Sequence, residues 1–189
     1  MKKIFLLSGS QRKDSLNSRL LSALAERIKH LVVVDIAHHG DINFPLFDQD
    51  LELDPNIQNI VSTLHSRIAT SDALIVACPE YNGLLTPYLK NTVDWVSRLQ
   101  YLNANCANAF LDKPLLLVSA STGWSGGAVG LPSARTLFGY VGCHVLGGSI
   151  IIPNASQHTT NTGFKFSTDQ DNLVNFHLER FMRILKVIQ

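Results

Sequence analysis

The sequence predicts a doubly wound α/β fold, in which five parallel strands form a middle layer between two layers of helices. Short apolar runs alternate along the chain with longer stretches of helical periodicity. The runs are apolar almost throughout rather than at every second residue, which is typical of strands buried on both faces. Hydrophobic residues make up 46% of the chain and charged residues 16%, a composition that excludes disorder and favours a covered sheet.

Each predicted strand is separated from the next by a segment long enough for a helix. The strands are expected over residues 3–8, 31–35, 73–77, 114–119 and 144–152. The first follows a Met-Lys-Lys start, but its apolar run ends at Ser8, too early for a signal peptide. No apolar run in the chain approaches the roughly 18 residues of a membrane span.

Five helices are predicted from apolar residues that recur three and four positions apart. Two follow the first two strands, the second of them starting near Pro55, and a third is expected over residues 87–99. A fourth is expected over about 127–141, and the last closes the chain. The residues expected on their buried faces are Leu20, Leu21, Leu24, Ile28, Ile57, Ile60, Val61, Leu64, Ile68, Val129, Ala134, Leu137, Phe138, Val141, Val174, Leu178, Phe181, Leu185 and Ile188.

Two stretches, 37–54 and 153–168, lack regular periodicity. The second is rich in polar residues and longer than a connection needs, so a mobile surface loop is expected. Within the first, His38 and His39 raise the question of a metal. Adjacent side chains on an extended chain point apart, which favours a solvated turn. No linker or repeat interrupts the pattern, and we expect one domain over residues 1–189.

Charge and cysteine content narrow the range of partners. Sixteen Lys and Arg against fifteen Asp and Glu leave a formal charge of +1, which does not favour nucleic-acid binding. Cys78, Cys106 and Cys143 form neither a C-x-x-C pair nor a zinc spacing. Their odd number is typical of a reducing cytoplasm, and Cys78 is interpreted as a small buried hydrophobe. We therefore expect a cytoplasmic protein with no nucleic-acid, membrane or metal partner.

In an open parallel sheet, ligands bind beyond the carboxyl ends of the strands. The segment after the first strand leads into a helix, whose N-terminus offers free N–H groups and a positive dipole end. Ser10, Arg12, Ser15 and Asn17 add further donors there. This is the composition of a phosphate site, although it matches neither a Walker A loop nor G-x-G-x-x-G. An ordinary N-cap followed by a solvated turn is the alternative.

The segment after the third strand contains Pro79, Glu80, Tyr81, Asn82 and Gly83. The proline favours extended geometry before it, and Asn-Gly suits a turn that needs positive φ. A rigid loop with an aromatic ring and exposed amides can hold a flat heterocycle. The alternatives are a surface aromatic for Tyr81 and an exposed carboxylate for Glu80.

After the fourth strand, residues 119–130 form a glycine-rich turn before a helix. Glycines at this density indicate a close approach of the backbone to something flat or anionic. They also serve plain chain reversal, so this segment alone is a weak signal. Three candidate binding segments at one edge of the sheet are stronger evidence than any one of them.

Taken together, the three segments resemble the NAD(P)H-dependent FMN reductases of flavodoxin-like fold, which include chromate, quinone and azo-dye reductases. The most specific part is Pro79-Glu80-Tyr81-Asn82-Gly83, continued by Leu89-Lys90-Asn91 and Asp94-Trp95. Gly9-Ser10-x-Arg12-x-x-Ser15-x-Asn17 and Ser121-x-Gly123-x-x-Gly126-Gly127 complete the resemblance. It implies strand order 2-1-3-4-5, bound FMN, and NADPH or NADH as hydride donor. The small-molecule acceptor it implies is a quinone, free flavin, azo compound or metal oxyanion.

The resemblance also implies which residues hold FMN. Its phosphate would be surrounded by Ser10, Arg12, Ser15 and Asn17. Its isoalloxazine would be lined by Pro79, Glu80, Tyr81, Asn82 and Gly83, and its pyrimidine side approached by Ser119, Ser121, Gly123, Gly126 and Gly127. No side chain is expected to act as a catalytic acid or base, because the cofactor carries the hydride chemistry.

Members of that family form dimers or tetramers through the helices after the third and fourth strands. A homodimer or homotetramer is therefore implied, with Trp95 and Arg98 at its interface. From the residues alone, Trp95 lies mid-helix beside Val96 and Leu99, and a place in the core or at a subunit contact is the preferred interpretation.

Two other functions remain open from the residues. One is a flavodoxin-type electron carrier that binds FMN without turning over a nicotinamide; such carriers tend to be strongly acidic, unlike this near-neutral chain. The other is a regulatory α/β domain that binds a phosphate but no flavin.

Overall fold

A central sheet of five parallel strands organises the chain, of which the computed structural model describes residues 1–160 and 163–188. The strands are β1 (Lys3–Ser8), β2 (Val33–Ile36), β3 (Ala73–Ala77), β6 (Pro114–Ala120) and β7 (His144–Ile152). Their order across the sheet is β2-β1-β3-β6-β7, and every pairing is parallel. Counted by these five strands alone, this is the predicted order 2-1-3-4-5, and the predicted fold class is confirmed.

Five helices cover the two faces of the sheet. They are α1 (Leu16–Ile28), α2 (Pro55–Ala69), α3 (Pro87–Leu102), α4 (Leu131–Tyr140) and α5 (Thr168–Ile184). Alternate residues of β1 divide between the faces: Ile4 and Leu6 pack with α1 and α5, whereas Phe5 and Leu7 pack with α2, α3 and α4. Two separate hydrophobic clusters result, one on each face, as in a three-layer fold.

Three of these helices start where the sequence predicts, each with a short polar side chain at its N-cap. Ser15 caps α1, Asp54 caps α2 and Thr86 caps α3, each accepting hydrogen bonds from backbone N–H groups of the first turn. Proline occupies the first turn of α2 and of α3, where its missing N–H costs no hydrogen bond. The predicted start near Pro55 is thereby explained.

The start differs from prediction at two elements. β2 begins at Val33 rather than at 31, because the N–H groups of Leu31 and Val32 still bond to the carbonyl of Ile28 at the end of α1. The fourth predicted helix begins at Leu131 rather than at about 127, because Gly126 and Gly127 have φ of 63° and 91°, outside the helical region.

Val129, predicted to face inward on that helix, precedes it and is 55% exposed. The prediction for this side chain is therefore wrong.

The segment 153–168 contains more regular structure than predicted. A 3₁₀ turn (Ala155–His158) leads into a hairpin of β8 (Thr159–Thr160) and β9 (Gly163–Phe164). Phe164 and Phe166 pack against the hydrophobic cluster on the α1 face, and the Arg27 guanidinium lies over the Phe166 ring. Asn161 and Thr162 lie outside the described residues. The mobility predicted for this segment stays a prediction.

Within 37–54, the predicted turn at the two histidines is confirmed. The N–H of Asp41 bonds to the carbonyl of His38, and the Asp41 carboxylate accepts the His38 N–H, with Gly40 at φ 91° between them. A short 3₁₀ turn (Gln49–Leu51) follows.

Trp95 is buried by its own chain. Its ring packs against Phe44 and Phe47, and its Nε1 donates to the carbonyl of Pro45 at 2.8 Å. Trp95 is therefore confirmed as a core residue, and the interface role that the resemblance implies for Trp95 and Arg98 stays a prediction. Arg98 is committed to the carboxylate of Glu52 and lies over Tyr101.

Over residues 1–160 and 163–188, the helices all fall short of the length and apolar character that a membrane crossing requires.

Candidate functional site

The carboxyl ends of β1, β3 and β6 are adjacent in the sheet, and three loops leave from them. We call residues 9–15 the first loop, 78–83 the second and 121–130 the third. A cleft of about 150 Å³ lies between them. Its walls include residues from all three loops and from the start of α1: Ser10, Arg12, Ser15, Leu16, Asn17, Pro79, Glu80, Tyr81, Ala120, Ser121 and Thr122. The structure thus brings the three candidate segments together at one edge.

The first loop presents donors to this cleft. The Ser15 hydroxyl caps α1 by accepting the N–H groups of Asn17 and Ser18, and the Ser10 hydroxyl accepts the N–H of Arg12 at 3.2 Å. Three N–H groups have no acceptor in the part of the chain that the structure describes: that of Leu16, which lines the cleft, and those of Lys13 and Asp14, which lie just before it in the first loop. Donors of this kind at the positive end of a helix dipole form an anion-binding site.

Arg12 is the cationic member of the cleft. Its side chain is exposed and forms no ion pair or hydrogen bond with any described residue. Arg19, one turn into α1, differs because its guanidinium already bonds to the carbonyl of Thr160. An unpaired guanidinium beside free N–H groups is available for a charge-assisted bond to a phosphate.

Asn17 links the first loop to the end of β6. Its Nδ2 donates to the Ala120 carbonyl at 2.9 Å, and its Oδ1 accepts the Ala120 N–H at 3.0 Å. The side chain is 4% exposed. Its amide is already satisfied within the chain, so its contribution to the cleft is to position the strands that line it.

The second loop is a tight hairpin formed by β4 (Glu80–Tyr81) and β5 (Leu84–Leu85). Asn82 and Gly83 have φ of 52° and 79°, so the predicted positive-φ turn is confirmed. The Tyr81 side chain is 52% exposed and lines the cleft. The Glu80 carboxylate accepts the N–H of Gly130 at 2.8 Å and so ties the second loop to the third.

The glycines of the third loop are explained largely by contacts within the protein. A Cβ on Gly127 would lie 2.0 Å from the Ser119 hydroxyl, and one on Gly126 would lie 2.6 Å from Ile151. The Ser119 hydroxyl donates to the Cys78 carbonyl at 2.8 Å and is fully buried. These residues support the cleft from behind, whereas Ser121 lines it.

Several supporting residues were missed by the sequence analysis. The N–H of Ala155 bonds to the Ser121 carbonyl at 2.8 Å, and the N–H of Asn154 bonds to the Gly123 carbonyl at 3.1 Å. The Thr86 hydroxyl donates to the Gly9 carbonyl at 2.6 Å. Only Thr86 carried a signal, since threonine before proline is typical of a helix start.

Cys78, at the end of β3, is not a nucleophile. Burial raises the pKa of its thiol to about 12, which keeps it protonated at neutral pH. Its interpretation as a small buried hydrophobe is confirmed.

A second cleft, of about 380 Å³, adjoins the first and shares Ser10, Arg12 and Tyr81 with it. It is lined by Gly9, Ser10, Gln11, Arg12, Tyr81, Thr86, Pro87 and Tyr88. Burial raises the pKa of the Tyr88 phenol to about 12, helped by the charge of Asp41, so the phenol is uncharged at neutral pH. The edge of the sheet therefore has room for a second ligand beside the first.

With this geometry in place, comparison with known proteins decides the family. The family model for NADPH-dependent FMN reductases matches residues 2–157. The chain belongs to this family. The resemblance inferred from the three loops is thereby confirmed.

Curated relatives carry quinone-reductase names. The chain is 33% identical to an NADPH:quinone oxidoreductase of Arabidopsis thaliana over 126 residues, 66% of this chain and 61% of that protein. It is 30% identical to a 2-hydroxy-1,4-benzoquinone reductase of Burkholderia sp over 139 residues, 74% of this chain and 71% of that protein.

Among solved structures, the fold is similar to that of FerB, a flavoenzyme NAD(P)H:(acceptor) oxidoreductase from Paracoccus denitrificans. The TM-score is 0.80 at 22% identity, covering 97% of this chain and 96% of that one. At this identity the likeness shows a shared fold.

Proposed function

We propose that this protein is an NAD(P)H-dependent flavin reductase that uses bound FMN to reduce a quinone. The observation that supports it most directly is the cleft where the first, second and third loops meet, in a chain of the FMN reductase family. The alternative of a flavodoxin-type carrier is weakened by the formal charge of +1, because such carriers tend to be strongly acidic.

The residues present fit FMN. The unpaired Arg12 guanidinium and the free N–H groups at the start of α1 suit its dianionic phosphate. Pro79 and the exposed ring of Tyr81 form a stiff wall that suits a planar ring system. We assign Ser10 and Ser15 to the phosphate side and the loop 79–83 to the ring side. Asn17, Ser119, Gly126 and Gly127 we assign to holding the loops in place.

In the overall reaction, the nicotinamide loses two electrons and one proton. The quinone takes up those electrons with two protons, one of them from water, and becomes a hydroquinone. FMN, when bound, would supply the two-electron chemistry that couples donor to acceptor. The chain contributes binding, orientation and a fixed polar environment. We assign no side chain as general acid or base.

The acceptor is proposed from the relatives. Proteins named as reductases of quinones are among the matches, from both plants and bacteria. Free flavins, azo compounds and metal oxyanions are further acceptors to be tested, since a fold does not determine its substrate.

We further propose that residues 1–189 act as one domain, in the cytoplasm, as a homodimer or homotetramer. An arrangement through α3 and α4 fits the exposed Tyr101 at the end of α3 and Tyr140 at the end of α4. Light scattering of the purified protein tests the oligomeric state directly.

One spectroscopic experiment tests the function. The purified protein is titrated with FMN, and NADPH or NADH oxidation is then followed with and without a benzoquinone. We expect saturable flavin binding and steady oxidation that depends on the quinone. Flavin binding without nicotinamide oxidation would favour an electron carrier. A protein that binds no FMN would favour the non-flavin phosphate domain.

A further inference from the structure

A furrow runs from the second cleft, beside Tyr81, around the first loop to the end of β2. Its narrow middle is lined by Ser10, Gln11 and Tyr88, which it shares with the second cleft, and by His38 and His39. Beyond this neck the furrow opens into a hollow of about 330 Å³. Two hollows joined by a neck suit a ligand with two bulky ends, as a dinucleotide has.

The far hollow combines a cationic rim with an apolar floor. Its rim includes Lys13, His38 and His39, all three exposed. Its floor includes Leu21, Ile36 and Ala37, and the side chains of Ser18 and Ser22 complete the wall. An apolar floor suits the face of an adenine ring, whereas cations and imidazole N–H groups suit a phosphate.

The three rim side chains are available for a ligand. Lys13 and the rings of His38 and His39 form no ion pair or hydrogen bond with any residue in 1–160 or 163–188. The two carboxylates nearby already have partners, since Asp41 bonds to Arg67 and Asp14 lies 3.7 Å from Arg19. Neither carboxylate forms an ion pair with Lys13 or with the rings of His38 and His39.

From this arrangement we propose that Lys13, His38 and His39 bind the 2′-phosphate of NADPH and so select it over NADH. The adenosine would lie on the apolar floor, with the nicotinamide end directed through the neck toward Tyr81. The inference rests on the proposed function only in taking a nicotinamide dinucleotide as the donor. A phosphate monoester on the adenosine ribose is what distinguishes the two donors, and this rim is built for such a group.

The first test measures binding without turnover. The purified protein is titrated by calorimetry with adenosine 2′,5′-bisphosphate and, separately, with adenosine 5′-monophosphate. We expect the 2′-phosphate to strengthen binding about tenfold, as for a charge-assisted contact. Equal affinity for the two nucleotides in the unmodified protein would overturn the proposal.

The matched variants locate the effect. Lys13→Met with His38→Gln removes one cation and one imidazole from the rim, and should abolish the preference for the 2′-phosphate. Lys29→Met with His30→Gln removes the same groups at the far end of α1, where both side chains are exposed, and should retain it. His39→Gln alone should weaken the preference in part. A rim variant that keeps the full preference would show that the phosphate binds elsewhere.

Steady-state kinetics then separates this inference from the proposed function. In the rim variant, kcat/KM should fall about tenfold more for NADPH than for NADH. If the unmodified protein oxidises both nucleotides and the rim variant loses both equally, the specificity inference is wrong and the reductase function stands. If the unmodified protein oxidises neither, the proposed function fails, and the binding titration still reports on the rim.

Discussion

The first and third loops flank the same cleft, yet their polar groups are used in different ways. In the first loop, the Arg12 guanidinium and the N–H groups of Lys13 and Asp14 have no partner among the described residues. Just before the third loop, the Ser119 hydroxyl donates to the Cys78 carbonyl, and in the third loop the carbonyls of Ser121 and Gly123 accept N–H groups from the segment that follows β7. Unpaired donors mark the surface that meets a ligand, and satisfied ones mark the framework that holds it.

This contrast separates two explanations of a glycine-rich loop. Gly126 and Gly127 are needed because neighbouring atoms of the protein itself occupy the space of a Cβ. Close approach to a ligand is therefore not required to explain them. If the third loop is a structural support, substitutions in it should lower the free energy of unfolding. If the first loop binds the ligand, substitutions in it should lower the affinity for FMN.

The largest effect is expected from Gly127→Ala. The new Cβ would lie 2.0 Å from the Ser119 hydroxyl, at a φ of 91° that side chains rarely adopt. Strain and displacement together should lower the free energy of unfolding by about 3 kcal/mol. Denaturant unfolding measures this loss. Gly123→Ala is the matched control, since its φ is ordinary and the nearest atom would lie 3.6 Å away; it should cost well under ~1 kcal/mol.

The second-largest effect is expected from Asn17→Ala. It removes two hydrogen bonds to Ala120 in a buried position, leaving the backbone N–H and C=O of that residue unpaired. We expect a loss of about 2 kcal/mol in the free energy of unfolding. A loss of FMN affinity at unchanged stability would instead assign the amide of Asn17 to the ligand and break the contrast drawn above.

Arg12→Ala should lower the affinity for FMN and leave the stability almost unchanged. The guanidinium forms no hydrogen bond or ion pair with any described residue, and the side chain is exposed, so the free energy of unfolding should change by less than ~0.5 kcal/mol. FMN affinity should fall by about tenfold or more, because a charge-assisted bond to the phosphate is lost. Fluorescence titration with FMN measures it. Arg12→Lys, which keeps the charge, should lose less, and full retention of affinity by Arg12→Ala would remove Arg12 from the phosphate site.

The smallest effect is expected from Glu80→Gln. The carboxylate accepts the N–H of Gly130, and an amide oxygen can accept the same bond without the charge. The free energy of unfolding should fall by less than ~1 kcal/mol, because charge-assisted bonds exceed neutral ones by about that amount. Thermal unfolding measures the change. A large loss of FMN affinity in this variant would place Glu80 among the ligand contacts.

The sequence was sufficient to predict the features that depend on patterns along the chain. The strands, their order and the convergence of three loops followed from continuous apolar runs and from the residues carrying the family resemblance. The turn at Asn82 and Gly83 was predictable because few residue types tolerate positive φ. A turn of this kind depends on adjacent residues, so the sequence is sufficient to predict it.

Contacts between distant segments were not predictable. Asn17 reads as a donor at a helix start, and only the structure shows that its amide spans to Ala120. Val129 has the spacing of a buried helical residue, yet Gly126 and Gly127 delay the helix and leave it exposed. Asn154 and Ala155 bond to the third loop through their backbone N–H groups. Almost every residue type has such a group, so the sequence does not indicate these bonds.

The backbone hydrogen bonds of Asn154 and Ala155 also indicate where the protein can be labelled. The main-chain amides of Asn154 and Ala155 secure the rim of the cleft, so the side chains that follow in the 3₁₀ turn are not needed for it. The exposed Ser156 and Gln157 lie just beyond these bonds and offer attachment points for a fluorescent label. A dye placed there would lie near the third loop while leaving the residues that line the cleft unmodified.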